Sequence, residues 1–157
     1  MIGISIANTK TMSSLIQNKK AYFNYEILEK MEAGIELLGF EVKSLKKGQG
    51  SLEGSHITVR GKEVFVINMQ IPPYQPANTP KDYDPVRNRR LLLTKKEISH
   101  LSGEENQKGL TIVPLSVYNK SRKLKLEIAI VRGKKKYDKR ESIKKRDVER
   151  EIRRDLK

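Results

Sequence analysis

The sequence predicts a mainly β chain: a small antiparallel barrel of about six strands with two or three short helices, followed by a basic C-terminal tail. Three observations carry that expectation. Short runs rich in β-branched and aromatic residues recur between turn signals, the pattern of an all-β domain. The connections between these runs favour antiparallel pairing. Composition also changes abruptly at Arg132: from there to Lys157 there are 13 basic and 6 acidic residues, a net +7 in 26 residues, while the preceding 131 carry 20 basic and 13 acidic residues and the other +7. The charge density of the tail is about five times that of the body, which marks it as an interaction segment.

Taken in order, residues 1–17 read as a flexible extension. The small apolar patch near Met1 has no basic residue before it, which makes a poor signal peptide, and Met12 opens a polar stretch. Tyr22 to Leu38 reads as a long strand with a bulge or bend at Ala33-Gly34. Gly39 to Gly48 reads as a short helix, with Val42 and Leu45 toward the core, Lys43, Lys46 and Lys47 toward water, and Gly48 as its stop. Ser55 to Ile71 has the form of a hairpin around Arg60-Gly61-Lys62-Glu63. Pro72, Pro73, Pro76, Pro80 and Pro85 then deny both a helix and a central strand to a loop that also carries Tyr74, Asn78, Tyr83, Arg87, Asn88, Arg89 and Arg90.

Beyond Leu91-Leu92-Leu93, Thr94 and Glu97 have the spacing of a capping box, and Ile98 and Leu101 supply the buried face of a short helix closed by Gly103. Gly109–Tyr118 and Lys123–Val131 are the last two strands, joined by Asn119-Lys120-Ser121-Arg122. The second alternates, with Leu124, Leu126, Ile128 and Ile130 inward and Lys125, Glu127 and Ala129 outward. The sum is an OB-like antiparallel β-barrel, with a β-sandwich as the alternative. In the tail, Ile143, Val148, Ile152 and Leu156 make only a thin helical stripe, so the segment is expected to be disordered when free and helical when bound.

Several function classes are excluded or disfavoured. No apolar run approaches the roughly 20 residues that span a bilayer. Cysteine is absent, which removes disulfides, thiolate metal sites and cysteine nucleophiles and suits a cytoplasmic setting. The two histidines, His56 and His100, stand in different segments with no ligand spacing, so neither a metal site nor a Ser-His-Asp group assembles from them. Glycine spacing fits no nucleotide loop. Carboxylates beside Lys and Arg, among them Glu41, Asp82, Asp84 and Asp138, read as ion pairs before they read as catalysts. A binding protein without cofactor or catalytic residues is the better class. The +14 net charge of 157 residues calls for a polyanion. Lys and Arg supply phosphate contacts and exposed tyrosines stack on unpaired bases, which suits RNA. Tyr22, Tyr25 and Tyr118 read as strand or core residues, while Tyr74 and Tyr83 divide evenly between stacking and structure.

An ordered set of motifs goes further. Asn18-Lys19-Lys20-Ala21, Glu32-Ala33-Gly34-Ile35, Gly39-Phe40-Glu41-Val42-Lys43-Ser44-Leu45, Asn68-Met69, Pro73-Tyr74, Asn78, Asp84-Pro85 through Arg87 to Leu91-Leu92-Leu93, Lys108 to Leu115, and Gly133 to Arg140 together resemble the SsrA-binding protein (SmpB) family from about Asn18 to the C-terminus. The resemblance implies a non-enzymatic, monomeric, cytoplasmic protein of trans-translation. Such a protein binds the tRNA-like domain of transfer-messenger RNA and brings it to stalled bacterial ribosomes, with elongation factor Tu in the delivery complex. Its tail enters the decoding centre and the empty mRNA channel. The domains implied are an N-terminal extension (1–17), an RNA-binding barrel (18–132) and a ribosome-binding tail (133–157). RNA-binding residues would be Asn18, Lys19, Lys20, Glu41, Lys43, Ser44, Asn68, Asn78, Arg87 and Arg89. In the tail they would be Gly133, Lys134, Lys135, Tyr137, Asp138, Lys139 and Arg140. Glu41 would accept hydrogen bonds from the RNA, hold a neighbouring Lys or Arg in position, or serve only as an N-terminal helix charge. Two departures from the family pattern are Tyr137 and Gln70, each where histidine is common. A tyrosine keeps stacking but not protonation, and an amide keeps a hydrogen bond.

Overall fold

The computed structural model describes residues 14–134. Seven strands form one antiparallel sheet: β1 (Ser14–Gln17), β2 (Tyr25–Ile35), β3 (His56–Arg60), β4 (Glu63–Ile67), β5 (Arg89–Leu92), β6 (Leu110–Lys120) and β7 (Lys123–Gly133), in the spatial order β1-β6-β7-β2-β5-β4-β3. Three α-helices accompany them, α1 (Lys19–Asn24), α2 (Gly39–Lys46) and α3 (Lys95–Glu105). The mainly β, OB-like expectation holds. The sheet curls until β3 lies near β6, but no backbone ladder joins its two ends.

Bulges bend the sheet. The β2–β7 register shifts at Leu28 and the β6–β7 register at Leu115, each leaving one residue without a cross-strand partner and increasing local twist. The second shift follows Pro114, which has no amide to give to a central ladder. Asn18 repairs the site, its amide nitrogen donating to the Leu115 carbonyl at 2.7 Å and its side-chain Nδ2 to the Pro114 carbonyl at 2.9 Å.

The interior of the curl is one apolar core that includes Leu52, Val64, Met69, Ile112, Leu126 and Ile128, with Leu45 from α2 and Leu101 from α3 closing it. A second, smaller cluster of Ala21, Val113, Leu115, Ala129 and Val131 lies beneath α1. α2 starts at Leu38, whose amide donates to Glu41 Oε1 at 2.7 Å, and stops before Gly48 at φ +76°. α3 starts on the expected box: the Glu97 amide donates to Thr94 Oγ1 at 3.2 Å, and the Thr94 amide donates to Glu97 Oε1 at 2.9 Å. The proline-rich segment is ordered, with a single 3-10 turn at Pro76–Asn78.

Five local expectations are corrected. There are seven strands rather than six, because Ser14–Gln17 joins the sheet instead of the extension and Ile16 is buried. Tyr22 belongs to α1, since Asn18 Oδ1 caps the Ala21 amide and turns the chain into a helix first. The bulge of β2 falls at Leu28, not at Ala33-Gly34. α3 passes through Gly103 to Glu105. Ala129 is buried rather than outward, because α1 covers that side of the sheet.

Both two-residue hairpin turns require left-handed backbone, and they meet the requirement differently. The β3–β4 turn uses Gly61 at φ +63°. The β6–β7 turn, between the opposed Lys120 and Lys123, places Ser121 at φ +51° and Arg122 at φ +66°. A side chain with Cβ costs on the order of 1 kcal/mol at each such position.

Thr94→Ala is expected to cost about 1 kcal/mol through loss of the cap. Urea unfolding should show a lower midpoint at an unchanged slope; an unchanged midpoint would show that the box adds nothing.

Candidate nucleic-acid interface

Glu41 sits on the inner face of the first turn of α2, with none of its surface exposed. Its carboxylate gathers four partners, three of them from more than 40 residues away. Arg87 donates from Nη2 to Oε1 at 2.6 Å and from Nε to Oε2 at 3.1 Å. Arg89, itself fully buried, donates from Nε to Oε2 at 2.8 Å. Tyr83 Oη lies 2.9 Å from Oε2, and the Leu38 amide completes the set. The remaining Arg89 donors are also satisfied: Nη1 donates to the Met69 and Arg87 carbonyls, and Nη2 to Tyr83 Oη and the Pro85 carbonyl. All five N–H groups of the guanidinium therefore find acceptors, the condition for burying that cation. Burial pushes the Glu41 carboxyl up, but Arg87, the Leu38 amide and Arg89 outweigh it and hold the group down to about 2. Burial and the neighbouring Glu41 push Tyr83 up to about 12.

Four of the residues expected to contact RNA are buried in this structure. Glu41 and Arg89 have no surface to offer. Ser44 is buried, donating from Oγ to the Pro72 carbonyl at 2.7 Å. Asn18 is spent on its cap and on the Leu52 and Pro114 carbonyls. Of the alternatives for Glu41, two are seen together: it holds the neighbouring arginines and it stands as an acid in the first turn of α2, accepting the Leu38 amide. Arg87 lies at the edge, its side chain 31% exposed while it binds Glu41.

Lys19, Lys20, Lys43, Asn68, Asn78 and Gly133 are exposed. Lys19 and Lys20 stand on α1, and Lys20 Nζ lies 2.6 Å from Glu53. Lys43 Nζ lies 5.9 Å from the centre of the Tyr74 ring. Asn68 occupies a left-handed position after β4, and Asn78 donates to Gln75 Oε1 at 2.7 Å. Tyr83 serves structure, packing edge-on against Phe40 with ring centres 4.7 Å apart. Gly133 ends β7, and Lys134 returns to α1, its amide donating to the Asn24 carbonyl at 2.9 Å and its Nζ to that of Tyr22 at 3.3 Å. Lys135, Tyr137, Asp138, Lys139 and Arg140 lie outside the described residues.

Sequence reasoning missed a groove of about 310 Å³ between α2, β5 and the β6–β7 turn. Lys46, Arg122, Lys123 and Lys125 rim it and Leu92, half exposed, lines it, with no carboxylate among the lining residues. None of the four cations forms a salt bridge among the described residues. Glu32, farther along β2, is engaged by Tyr118 Oη and by Lys120 Nζ at 3.2 Å. The only signal in the sequence was the run Lys120-Ser121-Arg122-Lys123, which reads as a polar linker until the fold brings Lys46 and Leu92 beside it. Among the described residues no group of acidic or histidine side chains is placed to hold a metal, and no helix is long and apolar enough to cross a membrane.

Comparison with known proteins agrees with the motif order. A family model described as SmpB protein matches residues 15–157. The SsrA-binding protein of Elusimicrobium minutum is 50% identical over 140 residues, spanning 89% of this chain and 88% of its own. That of Thermosipho africanus is 50% identical over 147 residues, spanning 93% and 98%. A solved structure described as "tmRNA-SmpB: a journey to the center of the bacterial ribosome" superposes with a TM-score of 0.65 at 41% identity, covering 81% of this chain and 92% of that one.

Since the Glu41 carboxyl is lowered from its ordinary 4.5 to about 2 in the folded state, it binds protons more weakly there than in the unfolded chain. Its contribution is fully present above pH 4.5, is lost as pH falls toward 2, and amounts to about 3 kcal/mol. Glu41→Gln, which leaves a buried arginine without its counter-charge, should lower stability at pH 7 by about 3 kcal/mol or more. It should also flatten the loss between pH 4.5 and 2. Denaturant titrations at both ends of that range test this, and an undiminished acid loss in the variant would assign the effect to other carboxyls.

Proposed function

Because the chain belongs to the SmpB protein family, we propose that it binds SsrA RNA, the transfer-messenger RNA of trans-translation, and accompanies it to stalled ribosomes. The observation that carries this reading is a family match running unbroken from the first strand to the last residue, with about half the positions identical in curated SsrA-binding proteins. In this reading the barrel holds the tRNA-like domain and residues 133–157 engage the decoding centre and the mRNA channel, with elongation factor Tu in the delivery complex. The protein acts by binding, without catalysis.

The physical chemistry supports an RNA partner. A groove with four cations and no acid attracts a phosphate backbone, and its apolar side suits a ribose or base face. Lys19, Lys20, Lys43, Asn68 and Asn78 are the exposed members of the expected set and serve as contacts. Asn18, Glu41, Ser44 and Arg89 act at one remove, fixing α1, α2 and the proline-rich loop that carry or border those contacts. Arg87 does both, with one face on Glu41 and the other in water.

The tRNA-like domain of SsrA RNA should bind at least about tenfold more tightly than an ordinary elongator tRNA across a salt series. Equal affinities with equal salt dependence would reduce the protein to a general RNA binder. Removal of residues 135–157 should leave RNA affinity within about twofold, since the groove is intact, while tagging of stalled chains is lost; a parallel loss of RNA binding would refute the division into two parts.

A further inference from the structure

We propose that the β6–β7 turn, Ser121-Arg122, is a phosphate-gripping tip whose unfavourable backbone is retained for its side chains; this rests on the RNA-binding reading above. A two-residue hairpin turn with positive φ at both central positions has the type I′ pattern, which favours Asn-Gly. Here both positions carry ordinary side chains, at φ +51° and +66°. The same chain places glycine at the corresponding need in β3–β4, where Gly61 stands at φ +63°. Backbone held in such a region persists where the surroundings or the function require it.

Charge at the tip is equally unfavourable to the free protein. Lys120 and Lys123 face each other as the last cross-strand pair, with Arg122 between them in sequence and Lys125 two residues on. Like charges directly opposed destabilise a hairpin. Glu32 hydrogen-bonds Lys120 and also draws on the charge of Lys125, but Arg122 and Lys123 make no salt bridge among the described residues; Arg122, Lys123 and Lys125 all line the groove, as does Lys46. Among the described residues no carboxylate forms a salt bridge with Arg122 or Lys123, whereas a bound phosphate would pair with both. It would be met by the flat fork of Arg122 and the hydroxyl of Ser121, and it would cancel the repulsion among the lysines. Contacts of this kind position a backbone rather than read a sequence. The tip therefore sets where the RNA lies, and its strength depends on salt.

The experiment compares wild type with Ser121→Asn/Arg122→Gly, Arg122→Lys and, at the other hairpin, Lys62→Gln, by thermal melts and by titration with the tRNA-like domain of SsrA RNA and an ordinary tRNA at four salt concentrations. The double variant should melt about 4 °C or more higher. It should bind the tRNA-like domain about tenfold more weakly, with a log–log salt slope shallower by about one. Arg122→Lys should keep the slope, and Lys62→Gln should keep both slope and affinity. The turn's role is overturned if the double variant binds as tightly with the same slope, if it melts lower than wild type, or if Lys62→Gln loses as much. A wild-type protein that fails to distinguish the two RNAs overturns the proposed function itself, while a discriminating wild type with an unaffected double variant overturns the turn alone.

Discussion

The buried carboxylate of Glu41, clamped between Arg87 and Arg89, is the interaction on which the rest of the structure depends. It ties the first turn of α2 and the proline-rich segment, through Tyr83 and Pro85, to the paired strands β4 and β5 at the start of β5 and, through the Met69 carbonyl, just past the end of β4. Burying an ion pair is costly, and the attraction repays that cost only when every other donor and lone pair is occupied. Here every donor of Arg89 is occupied. A segment with five prolines among residues 72–85 cannot organise itself through helix or sheet, so this network supplies the order that the backbone cannot.

Charge in this protein consequently does two opposite things. Inside, Arg89 is neutralised completely and holds the chain together. Outside, the groove cations form no salt bridge among the described residues and stand beside an apolar side chain, an arrangement suited to a phosphate-bearing partner. The same residue type is structural at Arg89, which is fully buried, and offered to solvent at Arg122 in the β6–β7 turn. The difference lies in which carboxylate the fold brings near.

That difference explains what was legible in the sequence. The hairpin around Gly61-Lys62, helix α2 with its Gly48 stop and the Thr94–Glu97 box are local rules, decided within a few residues, and they appear as expected. The strand at Ser14–Gln17 was illegible because four residues carry no periodicity and gain strand character only by pairing with β6. The burial of Arg89 was illegible because arginine defaults to the surface, and the family motif accordingly placed the residue among the RNA contacts. Ala129 looked outward by strict alternation, and α1 changed that by covering the outer side of the sheet. The cationic groove needed Lys46 and Arg122 to be brought together across 76 residues of chain.

The root of the tail has a mechanical consequence. Lys134 is tied to α1 by a main-chain and a side-chain hydrogen bond, immediately after Gly133 closes the β2–β7 ladder opposite Tyr25. Ladder bonds lie across the strands. A pull along the axis of β7 therefore loads many of them together in shear, whereas a pull sideways peels them one at a time, beginning with the two that hold Lys134. The barrel is stiff to force in one direction and yielding in the other, so the angle at which the tail is drawn away decides whether tension reaches the groove or is dissipated at α1.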